Sequence, residues 1–480
     1  MNFDDTRATE AAQTIVSAEL DAGYPDSVPS ARQDEWERIG VRRQPVRIPC
    51  VSKAKIEPAK RIDGVVELPG DKSISHRYAI LSALAEGVSE TRNYSSAADC
   101  QSTLDCLRRL GIEIESQDRT IRIPGKGLRG LKAPRRSLDA GNSGTKMRLL
   151  TGVLAGQSFS STITGDASLR RRPMRRILDP LSAMGAKISA QEGGFAPLEI
   201  QGTPLHSIDY TLPVASAQVK SAILLAGLYA EGETSIHESV ATRDHLELAL
   251  REFGARVVAA KGTVRIQGGP RLEGRGLTVP GDLSAAVFFI AAALILPGSN
   301  VIIHDVGLNP TRTRILDFLI SIGAPIHVAS LQSRDGELVG DLAVRYAPLT
   351  GGAISGAQAA EMIDELPMLA ALGPFTEKGI EIRGAQELRV KESDRVSALA
   401  ESLARMGARV EEFPDGLRVE GRAAGKLHGA KIDPRGDHRI AMALAVAGLG
   451  AEGTTVIQNA ECAAVSFPDF FATIDRMVER

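Results

Sequence analysis

Apolar positions along the chain recur in a unit of about 70 residues. The pattern Leu-x-x-apolar-Gly-(Ala/Ile)-x-(Ile/Val) occurs five times, and in each copy an apolar helical run ends at a glycine and leads into a β-branched segment. The glycines of the five copies are Gly111, Gly185, Gly254, Gly323 and Gly407. Glycine closes a helix well because it adopts a left-handed backbone at little cost. The pattern therefore predicts five helices that each feed a strand.

A second series of polar residues precedes longer apolar runs: Asp71, Asn142, Ser216, Asp282, Asp364 and Asp437. Residues of these types cap helix N-termini. The runs are apolar around much of their circumference, which predicts buried helices, and β-branched stretches such as GETSIHES and GTTVIQNA predict strands after most of them. Since six buried helices cannot share one core, we predict an α/β fold of six repeated units in two domains of three units, with helices inside and sheets outside.

The apolar runs are too short to cross a membrane. The longest, 285–296, has 12 residues, whereas a membrane-spanning helix needs about 20. A formal net charge of −2 and 4% aromatic residues argue against nucleic-acid binding. The four cysteines form no C-x-x-C pair, which is typical of a reducing compartment. We therefore expect a cytoplasmic protein that acts on small molecules, with no nucleic-acid or membrane partner.

The first 55 residues differ from the rest of the chain. They are polar, contain several prolines and hold the only tryptophan, Trp36. Before residue 30, six acids face the single base Arg7, a composition unlike that of a signal or transit peptide. We predict that residues 1–55 form a flexible extension.

The starts of the predicted buried helices carry candidate chemistry. A helix N-terminus has unpaired N–H groups and a partial positive charge, so it attracts anions. The start LPGDKSISHR adds Lys72, Ser73 and Arg77, and the start GNSGTKMR adds Gly144 and Arg148. For each motif alone, a helix cap beside solvated bases is the competing interpretation. If these starts converge between the domains, the cleft will bind phosphate and carboxylate groups.

Further polar motifs accompany the later helices. GDASLRRRPMRR contains five arginines, among which we select Arg172, and PVASAQVKS contributes Ser216 and Gln218. In the second half of the chain, IDELP, RVKESDR and GDHRIAM carry Asp364, Lys391, Glu392, Arg395 and Arg439. Carboxylates among arginines suit proton transfer beside an anionic substrate. Structural ion pairs are the competing interpretation of these clusters.

Taken in order, LPGDKSISHR, GNSGTKMR, the Arg-Pro of RRRPM, VKESDR and GDHRIAM closely resemble the motifs of the 5-enolpyruvylshikimate-3-phosphate synthase family, over about residues 56–480. The resemblance implies a two-domain inverse α/β barrel of six repeated units, with the active site in the interdomain cleft. Domain I would comprise residues 56–68 and 281–480, and domain II residues 69–280.

The resemblance also implies a reaction. The enolpyruvyl group of phosphoenolpyruvate would move to the 5-hydroxyl of shikimate 3-phosphate, with release of phosphate. No metal or organic cofactor takes part, and the protein is expected to be a monomer. Gly144 retains the hydrogen side chain that leaves room for glyphosate, so we expect this inhibitor to act on the protein.

The resemblance assigns each motif residue a role. The phosphoenolpyruvate site would consist of Lys72, Gly144, Arg172, Gln218, Arg395 and Arg439. The shikimate 3-phosphate site would consist of Lys72, Ser73, Arg77, Ser216, Gln218, Asp364 and Lys391. Asp364 would take the 5-hydroxyl proton, while Glu392, assisted by Lys72, would protonate the methylene group. A carboxyl that donates a proton in this way is expected to have a raised pKa.

Three positions depart from the family pattern. Ala217 stands where a serine is frequent, Val465 where a lysine is frequent, and Glu387 where an asparagine is frequent. All three departures bear on substrate affinity.

Two other functions remain open. The sister enzyme that transfers enolpyruvate to UDP-N-acetylglucosamine typically uses a reactive cysteine on a loop, whereas Cys100 and Cys106 lie in a predicted helix. A non-catalytic anion-binding protein of the same fold would be expected to lack the candidate acid and base, yet Asp364, Glu392 and Lys72 are all present.

Overall fold

The computed structural model describes residues 52–480, so most of the predicted extension lies outside the described residues. Thirteen α-helices form in the described part of the chain. They are α1 Lys72–Leu84, α2 Ala98–Arg109, α3 Gly144–Ala155, α4 Arg175–Ala183, α5 Ala217–Gly227, α6 His245–Glu252, α7 Leu283–Ile295, α8 Arg314–Ser321, α9 Ala357–Glu361, α10 Leu366–Leu372, α11 Arg395–Arg405, α12 His438–Leu449 and α13 Phe470–Met477. Among these helices, none combines the length and the apolar character that a membrane crossing needs.

Twenty-six strands accompany the helices in the same residues. They are β1 Lys53–Ile56, β2 Arg61–Glu67, β3 Glu86–Arg92, β4 Glu115–Gln117, β5 Thr120–Lys126, β6 Leu138–Asp139, β7 Ser160–Thr164, β8 Lys187–Gln191, β9 Phe195–Gln201, β10 Leu205–His206, β11 Asp209–Thr211, β12 Ala230–Glu231, β13 Glu233–His237, β14 Val257–Ala260, β15 Thr263–Gln267, β16 Gly276–Thr278, β17 Asn300–Gly307, β18 Ile326–Arg334, β19 Glu337–Arg345, β20 Gly352–Ile354, β21 Ile380–Ile382, β22 Val410–Phe413, β23 Gly416–Val419, β24 Lys431–Ile432, β25 Thr455–Gln458 and β26 Val478–Glu479.

The strands form seven open sheets, four of which share one topology. Their orders are β16-β3-β5-β4, β6-β7-β9-β8, β11-β13-β15-β14 and β20-β21-β23-β22. In each, the first two strands are parallel and the remaining pairs are antiparallel. The mixed α/β class predicted from the sequence is confirmed. No sheet of residues 52–480 closes into a barrel, and the number of six repeated units stays a prediction.

Strand β1 lies where the sequence predicted the end of a flexible extension. It pairs antiparallel with β25, with Lys53 opposite Gln458 and Ile56 opposite Thr455. The side chains of Ala54 and Ile56 are buried. Ordered structure therefore begins by Lys53, because alternate apolar residues of this short strand reach the core.

The five glycines of the recurring pattern close helices as predicted. Each follows α2, α4, α6, α8 or α11 and has a positive φ, between 86° for Gly111 and 104° for Gly323. Four of the six predicted caps are also confirmed, since the carboxylates of Asp71, Asp282 and Asp437 and the hydroxyl of Ser216 accept backbone N–H groups. The other two caps are wrong by one residue.

Ser143 rather than Asn142 caps α3, and Glu365 rather than Asp364 precedes α10. The displaced residues are used elsewhere. The carboxamide of Asn142 contacts Arg172, and the carboxylate of Asp364 contacts Arg243. Asn142 and Ser143, which have similar capping propensity, are therefore distinguished by tertiary contacts.

Two separate hydrophobic cores lie within the described residues. One gathers buried residues between Ile74 and Val279, and the other joins residues 54–68 to residues 283–474. All of α7 and nearly all of α1 and α12 are buried, as their apolar sequences predict. The chain passes between the cores near Pro69 and again near Pro280. These transitions lie close to the predicted domain boundaries, which stay a prediction.

Candidate active site

A cavity of about 310 Å³ collects residues from the starts of several buried helices. Ten of the candidate residues line it: Lys72, Ser73, Gly144, Arg172, Ser216, Gln218, Asp364, Lys391, Glu392 and Arg439. The other two, Arg77 and Arg395, are buried beside it. The residues that line the cavity belong to the chain segments of both hydrophobic cores, so the cavity lies between the two cores.

Lys72 is the first residue of α1 and carries its charge into the cavity. Its Nζ lies 3.2 Å from Oδ2 of Asp99. Burial disfavours the ammonium form, but the carboxylates of Asp99 and Glu392 outweigh burial, and the pKa of Lys72 is raised. Lys72 is therefore a permanent cation at neutral pH.

Arg77 lies one turn after Ser73 and supports it from behind. Its Nη1 donates to the carbonyl oxygen of Ser73 at 2.8 Å, and its Nη2 donates to Oγ of Ser221 at 3.0 Å. Burial lowers the pKa of Arg77 to about 10, so the guanidinium remains charged at neutral pH. Arg77 does not line the cavity, so its positive charge acts there only through Ser73 at the start of α1, which it contacts.

The start of α3 brings a second cation beside a glycine. Gly144 is the first helical residue, and the guanidinium of Arg148, one turn later, donates to Oε1 of Gln218. Gln218 in turn donates from Nε2 to Oγ1 of Thr145 at 2.8 Å. A Cβ added to Gly144 would lie 2.7 Å from Nη1 of Arg148 and 3.6 Å from Nη1 of Arg172. A side chain at this position would therefore displace the guanidinium of Arg148, whereas the distance to Arg172 is an ordinary contact.

Ser216 caps α5 by accepting the N–H of Val219, as a helix-start residue does. Ala217 also lines the cavity and offers a methyl group where a serine hydroxyl would stand. Val465 lies in a short 3-10 helix, Ala460–Val465, and is not among the residues that line the cavity.

Arg172 points inward, as selected from the five clustered arginines. Its Nη2 donates to Oδ1 of Asn142 at 2.6 Å, and its Nη1 lies 3.6 Å from Oε1 of Glu392. Of the remaining four, Arg170, Arg171 and Arg175 lie on the exposed surface, while Arg176 reaches the cavity rim.

Arg395 is the most buried cation of the site, with 1% of its side chain exposed. Its Nε donates to Oδ2 of the buried Asp437 at 2.8 Å, and its Nη2 donates to Oε2 of Glu392 at 2.6 Å. Nη1 has no hydrogen-bond partner within residues 52–480 and lies 3.8 Å from Oδ1 of Asp364. One guanidinium thus connects both carboxylates that the sequence assigns to proton transfer.

The predicted raised pKa of Glu392 is wrong for this structure. Burial raises the pKa of Glu392, but the guanidinium groups of Arg395 and Arg172 outweigh burial and hold it well below its usual range. The cations that the sequence assigns to substrate contact this carboxylate directly. Glu392 is therefore ionised here at neutral pH.

Asp364 is surrounded by cations from both cores. Its Oδ2 lies 2.8 Å from Nη2 of Arg243, and its Oδ1 lies 3.8 Å from Nε of Arg439. Burial raises the pKa of Asp364, but Arg439, Arg243 and Lys391 together hold it well below its usual range. Burial lowers the pKa of Lys391, which lines the same wall. Asp364 is therefore ionised at neutral pH.

Sequence reasoning missed two contributors to the site, Asp99 and Arg243. Asp99 follows Lys72 by 27 residues, and Arg243 precedes Asp364 by 121 (364 − 243). Neither belongs to a motif with fixed spacing. The signal for Arg243 is its position in the polar loop that immediately precedes α6.

Cys100 and Cys106 are buried within α2, as predicted. Burial raises the pKa of both thiols. Neither of these two cysteines is therefore a reactive thiolate on a loop. Within residues 52–480, no three His, Cys, Asp or Glu residues form a group that could hold a metal ion.

Comparisons with known proteins agree with this arrangement. The family model for EPSP synthase (3-phosphoshikimate 1-carboxyvinyltransferase) matches residues 56–474. A 3-phosphoshikimate 1-carboxyvinyltransferase from Solibacter usitatus is 55% identical over 425 residues, which cover 88% of this chain and 99% of the relative.

Solved structures give the same result. EPSP synthase from Acinetobacter baumannii aligns with a TM-score of 0.80 and 42% identity, over 89% of this chain and 98% of that one. The enolpyruvyl transferase NikO from Streptomyces tendae aligns with a TM-score of 0.70 over 88% and 96% of the two chains, but at 19% identity it supports only a shared fold. The family match and the identity over nearly the whole described length agree, and the chain therefore belongs to the EPSP synthase family.

Proposed function

We propose that this chain transfers the enolpyruvyl group of phosphoenolpyruvate to the 5-hydroxyl of shikimate 3-phosphate. The products are 5-enolpyruvylshikimate 3-phosphate and phosphate, as in the biosynthesis of chorismate and aromatic amino acids. Family membership supports this function. The observation that carries it in the site is the gathering of Lys72, Arg172, Arg395 and Arg439 around two ionised carboxylates.

The reaction divides into addition and elimination. In the addition, the 5-hydroxyl oxygen bonds to C2 of phosphoenolpyruvate, the hydroxyl loses its proton, and the methylene carbon gains one to become a methyl group. In the elimination, the methyl group loses a proton, the double bond returns, and the bond between C2 and the phosphate oxygen breaks. The protein must therefore bind two phosphates and two carboxylates, accept one proton and donate another.

The donor site is proposed at Arg172, Arg395, Arg439, Lys72, Gly144 and Gln218. Guanidinium groups suit phosphate and carboxylate because they donate two parallel hydrogen bonds. Nη1 of Arg395 is buried without a hydrogen-bond partner within residues 52–480, and Nε of Arg172 is in the same condition. These groups support an anion subsite because a buried donor gains stability when it finds an acceptor.

The acceptor site is proposed at Lys72, Ser73, Arg77, Ser216, Gln218, Lys391 and Asp364. Ser73 and Ser216 lie at the starts of α1 and α5, where free N–H groups favour a phosphate. We propose that Arg77 acts on the phosphate through Ser73, whose carbonyl it binds. Arg243 contributes charge to the same region through its contact with Asp364.

Asp364 is proposed as the base and Glu392 as the acid. The low pKa of Asp364 keeps it ionised, which is the form that accepts the hydroxyl proton. Glu392 must first be protonated. We propose that phosphoenolpyruvate itself causes this, because its negative charges engage Arg172 and Arg395 and reduce the positive field at the carboxylate. Lys72 stabilises the negative charge that develops between them.

The finer architecture belongs to the same proposal. We propose two domains of three repeated units, with boundaries at residues 56–68 plus 281–480 and 69–280, arranged as an inverse α/β barrel. The shared topology of four sheets and the two hydrophobic cores support it. A cytoplasmic monomer is the proposed working form.

The test is phosphate release with shikimate 3-phosphate and phosphoenolpyruvate, alone and together. We expect release only with both substrates, and a loss of at least about a hundredfold in Lys72→Ala and Glu392→Gln. Lys426→Ala, an exposed lysine outside the cavity, is the matched control and should retain full activity. Equal rates in all proteins would contradict the proposal. Activity with UDP-N-acetylglucosamine in place of shikimate 3-phosphate would favour the sister reaction instead.

A further inference from the structure

An ion pair that has no part in the proposed chemistry crosses the mouth of the cavity. Nη2 of Arg176 lies 2.8 Å from Oε1 of Glu387, and Nη1 lies 3.2 Å from Oε2. This is a two-pronged contact between a guanidinium and a carboxylate, the geometry that gives Arg-carboxylate pairs their directional strength. Both side chains line the cavity rim and are a little under half exposed, at 43% and 45%.

The two partners belong to different hydrophobic cores. Arg176 is the second residue of α4, whose Ile177 packs into the core of residues 74–279. Glu387 lies in a 3-10 helix, Gln386–Val390, whose Leu388 packs into the other core. The pair therefore connects one wall of the cavity to the other.

The same two walls carry residues proposed for catalysis. Arg172 lies four residues before Arg176, and Glu392 lies five residues after Glu387. Behind the pair, Nη1 of Arg172 is 3.6 Å from Oε1 of Glu392, and Oγ of Ser168 donates to the carbonyl oxygen of Glu392 at 3.1 Å. The outer pair and the inner contacts thus join the same two chain segments.

Glu387 and Arg176 carry opposite charges, and each stabilises the charged form of the other. Their mutual hydrogen bonds raise the pKa of Arg176 and lower that of Glu387, so both stay charged across the neutral range. The carboxylate of Glu387 therefore has a charged protein partner on the opposite wall of the cavity.

We propose that Arg176 and Glu387 form a latch that holds the two walls of the cavity in the arrangement that binds substrate. They are positioning residues, and their kinetic effect rests on the proposed function. Loss of the latch lowers the fraction of molecules in the binding arrangement, and the apparent dissociation constant rises in proportion. Saturating substrates restore the arrangement, so KM changes while kcat does not. For a partly exposed pair the expected change is about 1.4- to 5-fold.

Charge reversal gives the sharpest kinetic test. We expect Arg176→Glu and Glu387→Arg each to raise KM for both substrates about two- to fivefold or more, because like charges then face each other. The double variant restores the pair with the charges exchanged, so its KM should return toward the wild-type value. Arg405→Glu, which breaks the exposed surface pair with Glu401, is the matched control and should leave KM unchanged.

Two kinetic results would overturn the latch. A double variant as weak as the worse single variant would mean that Arg176 binds substrate directly. A lower KM in Glu387→Arg would mean that the added cation recruits anionic substrate and that the pair does not hold the walls.

A second readout is independent of catalysis. In protein without added substrate, amide hydrogen exchange of peptides covering residues 168–176 and 386–392 should be faster in both single variants and return toward wild type in the double variant. Raising the salt concentration should speed exchange in the wild type and have less effect in the single variants. This exchange pattern without enzyme activity would refute the proposed function and leave the latch standing. Enzyme activity together with amide hydrogen exchange that the variants do not change would refute the latch and leave the proposed function standing.

Discussion

Glu392 should take up a proton when phosphoenolpyruvate binds. Its carboxylate is held ionised by Nη2 of Arg395 at 2.6 Å and by Nη1 of Arg172 at 3.6 Å. A unit charge at 3.6 Å contributes roughly 4 to 5 kcal/mol at an effective dielectric constant of about 20. A bound anion that engages Arg172 offsets a comparable part of this stabilisation of the Glu392 carboxylate. Since about 1.4 kcal/mol changes an equilibrium tenfold, this is large enough to shift the equilibrium of the Glu392 carboxylate toward its protonated form.

The direction of the pH dependence follows from the pKa of Glu392 in the free protein and in the complex with phosphoenolpyruvate. The pKa of Glu392 is well below its usual range in this structure and is expected to rise in the complex, so the complex binds more protons. Affinity for phosphoenolpyruvate should therefore increase as pH falls between the low pKa of the free protein and the higher pKa of the complex.

Isothermal titration calorimetry in buffers of different ionisation enthalpy measures the protons exchanged. The experiment compares wild type with Glu392→Gln and omits shikimate 3-phosphate, so that no turnover occurs. The phosphate of phosphoenolpyruvate also exchanges protons, but it does so in both proteins. We expect the wild type to take up more protons than the variant, by up to one per bound molecule. Equal proton counts in the two proteins would refute the explanation of how Glu392 becomes an acid.

Three further variants test other parts of the site. Asp364→Asn removes the proposed base and should lower kcat by about a hundredfold to ten-thousandfold with the fold retained, as measured by turnover and circular dichroism. Asp437→Asn leaves the buried guanidinium of Arg395 short of one carboxylate; denaturant unfolding should show a loss of about 3 to 5 kcal/mol, and an unchanged unfolding free energy would contradict the buried pair. Gly144→Ala puts a Cβ 2.7 Å from Nη1 of Arg148, so inhibition by glyphosate should weaken roughly 10- to 200-fold, and undiminished inhibition would show that this space is not used.

Much of the fold follows from local rules that sequence displays. Gly111 and the four glycines equivalent to it end helices because the left-handed backbone there favours glycine, and no tertiary information is needed to see it. The helix starts are equally visible. The choice between Asn142 and Ser143 as a cap is not, because both side chains accept the same hydrogen bond and only the contact of Asn142 with Arg172 separates them.

The site was predictable where motifs are continuous in sequence. Lys72 stands in a continuous motif and lines the cavity. Arg172 also lines it, but the spacing of the five clustered arginines alone would not have selected it. Asp99 and Arg243 could not be selected from the sequence, since their roles arise from contacts between segments far apart in the chain. The ionised state of Glu392 was also beyond sequence reasoning, because it depends on a contact of 2.6 Å with Arg395.

Enolpyruvyl transfer in this cavity is tested most directly by following the bridging oxygen of phosphoenolpyruvate, labelled with a heavy isotope, together with shikimate 3-phosphate. Transfer breaks the bond between C2 and that oxygen, so the label should leave with phosphate, and mass spectrometry should find the enolpyruvyl group on shikimate 3-phosphate. Lys72→Ala should suppress both products together. Label retained in pyruvate, or phosphate released without shikimate 3-phosphate, would mean simple phosphoryl hydrolysis and would contradict the account.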